Sequence, residues 1–249
     1  LNITQTNLAQ QQGVVKNEVK VNVLNQPYGG FPWLDMPQVA NENWHNSHNF
    51  YGELSDLDAA TLEDVNAFFE TFYAPNNAVV VVAGDFDTEE AFAWVESYFG
   101  PLEARDQPVQ PDLTEPKQLA EKKAAKEDAL APRPALAFAY HVPERNSEEW
   151  YAFGLIDILT LQGSDSLLYQ QLVKEKGYSS NIFGGINMLG NMFNYSGPML
   201  WIGALIHDPS VEGSVIMDDV ETTLQRLRDD PVNAQDLERA RTKIRSTLY

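Results

Sequence analysis

The chain has 249 residues, with 17 Lys and Arg against 36 Asp and Glu, a formal net charge of −19 and no cysteine. Such acidity argues against nucleic-acid binding, which needs Lys and Arg to displace phosphate counterions, and against an anionic membrane surface. The lack of cysteine excludes disulfide frameworks, thiolate zinc sites and cysteine nucleophiles, while 43% hydrophobic residues supply material for one large or two ordinary cores. No apolar run approaches membrane-spanning length, and no signal-peptide pattern occupies residues 1–30. The opening LNITQTNLAQQQG has no initiator Met and enters a polar, helix-compatible stretch at once, which points to a fragment or a processed chain.

Residues 4–23 read as a helix with Leu8, Val15, Val19 and Val23 near one face. Residues 26–58 read as loop, punctuated by Pro27, Gly29, Gly30, Pro32 and Pro37. Thr61 with Asp64 three residues on predicts a capped helix whose apolar stripe runs through Leu62, Val65, Phe68, Phe69 and Phe72. The valine run 78–83, closed by Gly84, predicts a strand buried on both faces. Thr88 opens a further helix, which Gly100 and Pro101 stop. Residues 101–133 are rich in proline and mixed charge, the composition of an exposed connector; the lysines at 117, 122, 123 and 126 belong to its solvated surface.

A second unit follows. Strands are expected at 135–142, 179–188 and 199–207, and helices at 147–161, 166–176, 211–228 and 234–249, the last capped by Asn233. Strands joined by short turns, with helices in pairs, predict an α+β fold with largely antiparallel sheets flanked by helices.

Residues suited to chemistry are few. His45 and His48 form an H-x-x-H with Glu53 nearby, a zinc-compatible spacing on a helix, but WHNSHNFYG is built of loop formers and the pair reads as structural or surface. His141 and His207 read as ordinary strand histidines. Gly184, Gly185 and Gly190 lack a phosphate-loop context, and no G-x-S-x-G occurs. Glu18, on the first helix, reads on its own as one more exposed glutamate.

The segment LDAATLEDVNAFFETFYAPNNAVVVVAGDFD resembles the pitrilysin/insulinase-like zinc metallopeptidases (peptidase family M16), whose helix, Y-x-P-x-N turn and Gly-Asp-terminated strand come in this order. VVKNEVKVNVLNQPYGG is similar to that family's helix bearing the third zinc ligand and the N-x-P-Y-G turn after it. GSDSLLYQQL and DLERAR resemble helices of its second domain.

The resemblance implies a site of H-x-x-E-H plus a later glutamate, holding zinc and an attacking water that the motif's own glutamate deprotonates. Glu18 matches the later glutamate; H-x-x-E-H is nowhere in the chain, so this chain alone is expected to be inert. At the family's substrate-contacting Arg and Tyr stand Val173 and Ser180, with Tyr178 as a shifted alternative. The expected organisation is two incomplete pitrilysin-like domains, at 1–105 and 134–249, joined by a linker at 106–133. The expected partners are a peptide substrate and the other pitrilysin-like half or a partner subunit. The compartment suggested is periplasmic or secreted in bacteria. Two rival readings are a non-catalytic subunit of the same fold and an acidic α+β binding module.

Overall fold

A computed structural model describes residues 3–247. In chain order the helices are α1 (Gln5–Val19), α2 (Asp35–Ala40), α3 (Trp44–Ser47), α4 (Leu54–Ala59), α5 (Leu62–Phe72), α6 (Thr88–Phe99), α7 (Glu148–Thr160), α8 (Gly213–Asp229) and α9 (Ala234–Ser246). The strands are β1 (Ala135–His141), β2 (Phe183–Ile186) and β3 (Leu200–Ile206). Two π-helical turns, Lys20–Leu24 and Tyr169–Glu175, extend helical segments that the sequence reading treats as regular. The fold is α+β with an antiparallel sheet, and it separates into two compact units, residues 1–18 with 52–112 and residues 19–51 with 113–249.

The first unit consists of helices and extended backbone. Helix α5 starts as expected: the Thr61 hydroxyl accepts from Asp64 N at 3.2 Å while Thr61 N donates to the Asp64 carboxylate at 2.8 Å. Asp87 caps α6 by accepting from Glu90 N at 2.9 Å. Among the described residues of this unit only Leu8 and Ala74 are buried hydrophobics. The valine run 78–83 departs from the expected buried strand: no described residue pairs with it, and Val79 and Val81 are 90% and 81% exposed. Local β-preference is legible in a valine run, but burial needs neighbours on both edges and both faces, and these the unit does not provide.

The second unit holds the core. Its sheet has the order β1-β3-β2, with Ala135 opposite Ile206 and Phe183 opposite Ala204. Trp150, Leu168, Leu172, Trp201, Leu205, Ile216 and Val220 pack beneath it, each 1% exposed or less. Side chains alternate across a strand, so Phe138 on β1 meets the bare backbone of Gly203, where a Cβ would come within 2.3 Å of the ring. Helix α7 begins at Ser147, whose hydroxyl accepts from Trp150 N at 3.1 Å, and α9 at Asn233, which accepts from Asp236 N at 2.9 Å. Helices α7 and α9 pack together. The stretch expected to be loop at 26–58 contains α2, α3 and α4; Asn43 caps α3, and Glu53 N donates to Asp56 at the start of α4, local turns the proline count obscures. Residues 103–134 form neither helix nor strand.

Removing the Leu172 side chain should therefore be costly and changing Val81 should not. Chemical denaturation of Leu172→Ala is expected to lose roughly 2–5 kcal/mol. Val81→Thr should stay within about 0.5 kcal/mol of the parent.

Candidate functional site

Glu18 lies on the exposed side of α1, and no hydrogen bond or ion pair engages its carboxylate among the described residues. Its neighbour Lys16 is tied to Asp58. Zinc of the kind the resemblance implies needs several N or O ligands converging on one point. Among the described residues no group of three His, Asp or Glu side chains could hold a metal ion. The residues present therefore do not fit zinc on their own, and Glu18 offers a single carboxylate.

His45 and His48 do not stand in a loop. His45 lies within the short helix α3, where Asn43 accepts from His45 N at 3.0 Å, and His48 caps its C-terminal end. The His48 ring stacks on Trp44 at 4.3 Å, and its Nδ1 lies 2.9 Å from the Trp44 carbonyl. Both are surface aromatics, as the sequence reading has them. His207 is buried, with Nδ1 3.0 Å from the Asp208 carbonyl.

The segment in which Val173 and Ser180 stand at the family's Arg and Tyr positions is held to the core. Val173 packs against the hydrophobic cluster. The Tyr178 hydroxyl donates to Asp219 at 2.8 Å, and Gln171 donates to the same carboxylate at 3.1 Å. Thr223 closes this network by donating to Gln171 Oε1. Tyr178 thus fixes the 169–178 segment on α8, and the bond to Asp219 pushes its own hydroxyl's pKa up.

The most perturbed carboxyl escaped the sequence reading. Asp157 sits in the last turn of α7, 8% exposed, and accepts from Trp201 Nε1 at 2.7 Å and from Gln162 Nε2 at 3.1 and 3.2 Å. Gln162 also donates to the Gly184 carbonyl at 3.0 Å and fills the space a Cβ on Gly185 would need. Both glycines hold a φ of +141°, a conformation that L side chains rarely adopt. Burial raises the Asp157 pKa to about 6, and the Gln162 and Trp201 bonds offset this only in part. The signal was present in EEWYAFGLIDILT: one acid in an otherwise apolar half-helix must be either exposed or partnered. Asp157 links α7 to β3 and, through Gln162, to β2.

Residues 59–244 match the family model described as the Peptidase M16 inactive domain. The chain belongs to the M16 peptidase family. The M16 chain is 24% identical over 244 residues to zinc protease PqqE of Helicobacter pylori, covering 96% of this chain and 53% of that protein. It is 26% identical over 175 residues to the mitochondrial presequence protease of Eremothecium gossypii, covering 67% of this chain and 17% of that one. A solved protease from Helicobacter pylori shares the fold at a TM-score of 0.83 and 20% identity, over 100% of this chain and 58% of that one. The M16 chain thus spans about half the length of the Helicobacter relative and less of the other. No helix among the described residues is long and apolar enough to cross a membrane.

The raised Asp157 pKa has a definite sign. The folded state holds this proton more tightly than the unfolded chain, so the group's stabilising contribution is complete below its ordinary 3.8 and is lost as pH rises to about 6. Above that, the ionised carboxylate costs about 3 kcal/mol relative to the protonated one. Asp157→Asn cannot ionise. Stability measured from pH 4 to 7 should show the variant gaining on the parent by about that amount, and parallel profiles would refute the assignment.

Proposed function

We propose that this chain is part of a zinc-dependent endopeptidase, with residues 1–105 the later part of one pitrilysin-like domain and residues 134–249 the earlier part of a second. Membership of the family and the likeness to a protein named a zinc protease support this reading. In it, Glu18 supplies one carboxylate to a zinc ion whose remaining ligands come from polypeptide outside these 249 residues. The observation that carries the assignment is the position of Glu18: an unengaged carboxylate on an ordered helix, in the sequence VVKNEV just before the N-x-P-Y-G turn. A helix fixes a ligand's direction better than a loop does, which suits a residue that completes a cage. In this reading the chain's own residues hold and orient, and the base that activates the hydrolytic water comes from polypeptide ahead of residue 1 in the same domain. Peptides are the proposed substrate.

A non-catalytic member of the same fold is the second reading, favoured by the description of the matching domain as inactive. The two separate on the intact protein itself, which binds zinc and hydrolyses peptides in the first reading and does neither in the second. In the intact protein Glu18→Gln should lower zinc content and peptide hydrolysis together, each at least tenfold. Unchanged zinc content and turnover would remove Glu18 from the site.

A further inference from the structure

Strand β2 is the least secured element of the sheet. It is an edge strand of four residues, two of them glycines, which add backbone entropy and present no side chain to pack. The backbone of Gly185 lies against the last turn of α7: a Cβ there would meet Gln162 Nε2 at 2.7 Å and both Asp157 oxygens at 3.7 Å. The Gln162 amide nitrogen donates to the Gly184 carbonyl on one side and to the Asp157 carboxyl on the other. Gln162 thereby bridges β2 to the acid. The loop after β2 runs back along α7, and its later part is fixed without Asp157. Met192 covers Gly154, Arg145 donates to the Phe193 carbonyl at 2.7 Å, and Trp150 Nε1 donates to the Tyr195 hydroxyl at 2.7 Å.

The Asp157 carboxyl is poorly equipped to carry a charge. Its partners are neutral donors, the Trp201 indole and the Gln162 amide, whereas an ionised carboxylate has about four lone-pair sites to satisfy. Strands β2 and β3 carry no ionisable side chain. Helix α9, which packs on α7, brings Lys243 and Arg239 to this end of it, but both are paired with Asp165. No ion pair reaches Asp157 among the described residues. Burial without a counter-charge favours the protonated form. The ionised form gains by reaching water, and β2 is the strand that lies against it.

We propose that Asp157 is a proton-controlled latch on β2. Protonated, it leaves β2 seated on α7 through Gln162; ionised, it draws in water and releases β2 with the start of the following loop, residues 183–191. The opening is local. Strand β1 keeps its seven paired positions on β3, and Met192, Phe193 and Tyr195 keep the later part of the loop on α7. Short segments with few fixed contacts are the ones that open below the global unfolding free energy. The latch involves neither zinc nor Glu18, so it stands or falls apart from the function proposed above.

The test is hydrogen exchange read by mass spectrometry on the 249-residue chain, with the intrinsic pH dependence of exchange divided out. A carboxyl held at about 6 when closed and at its ordinary 3.8 when open couples release to pH. Protection of 183–191 should therefore fall about tenfold between about pH 5 and about pH 7.5. Protection of β1 should hold over the same range. Asp157→Asn cannot ionise and should erase the difference. Gln162→Ala keeps the acid and cuts the bridge, so 183–191 should exchange fast at both pH values. That variant decides the matter should Asp157→Asn fail to fold. Unchanged protection of 183–191 in the parent, or an equal loss in β1, would overturn the proposal. So would a pH effect that survives in Asp157→Asn or in Gln162→Ala.

Discussion

Strand β3 is paired along both edges, with β1 on one side and β2 on the other, and all of its residues but Ile206 are buried. The rest of the second unit follows from that. Because Trp201 and Leu205 point into the helical layer, α7, α8 and the 169–175 turn must present apolar faces there, and Trp150, Leu172, Ile216 and Val220 do so. This arrangement carries the indole N–H of Trp201 inside, and an indole donor buried without an acceptor would be costly. Asp157 answers it. The carboxylate then needs a second donor, Gln162 supplies it, and Gln162 in turn requires a glycine at 185. One buried indole thereby accounts for an acid in an apolar helix and a glycine in a strand.

The first unit shows what happens when such a constraint is missing. Its helices α5 and α6 are properly capped and carry apolar residues, yet Phe68, Phe92 and Trp94 remain exposed, as do the valines at 79–82. Capping and periodicity decide whether a helix forms; a partner surface decides whether its stripe is covered.

What the sequence disclosed divides along the same line. Thr61, Ser147 and Asn233 were legible as helix starts, because a cap is made within four residues. The three strands of the second unit were legible from β-branched and aromatic runs, with β2 contracting to four residues. The exposure of 78–83 was not, since burial depends on contacts between distant segments, nor were the small helices in 26–58, which are too short to show a periodicity. Of the candidate residues, the exposed setting of Glu18 and the surface character of His45 and His48 agreed with a reading of residue types alone. The network around Asp157 did not emerge, because neither Trp201 nor Gln162 is near it in sequence.

In the function proposed above, Glu18 contributes one ligand to a zinc centre whose other ligands lie outside these 249 residues. Zinc stoichiometry after dialysis, measured on the 249-residue chain alone and on the intact protein, tests this most directly. The account predicts one tightly held zinc ion per intact protein and none retained by the shorter chain. Stoichiometric zinc on the shorter chain, or none on the intact protein, would contradict it.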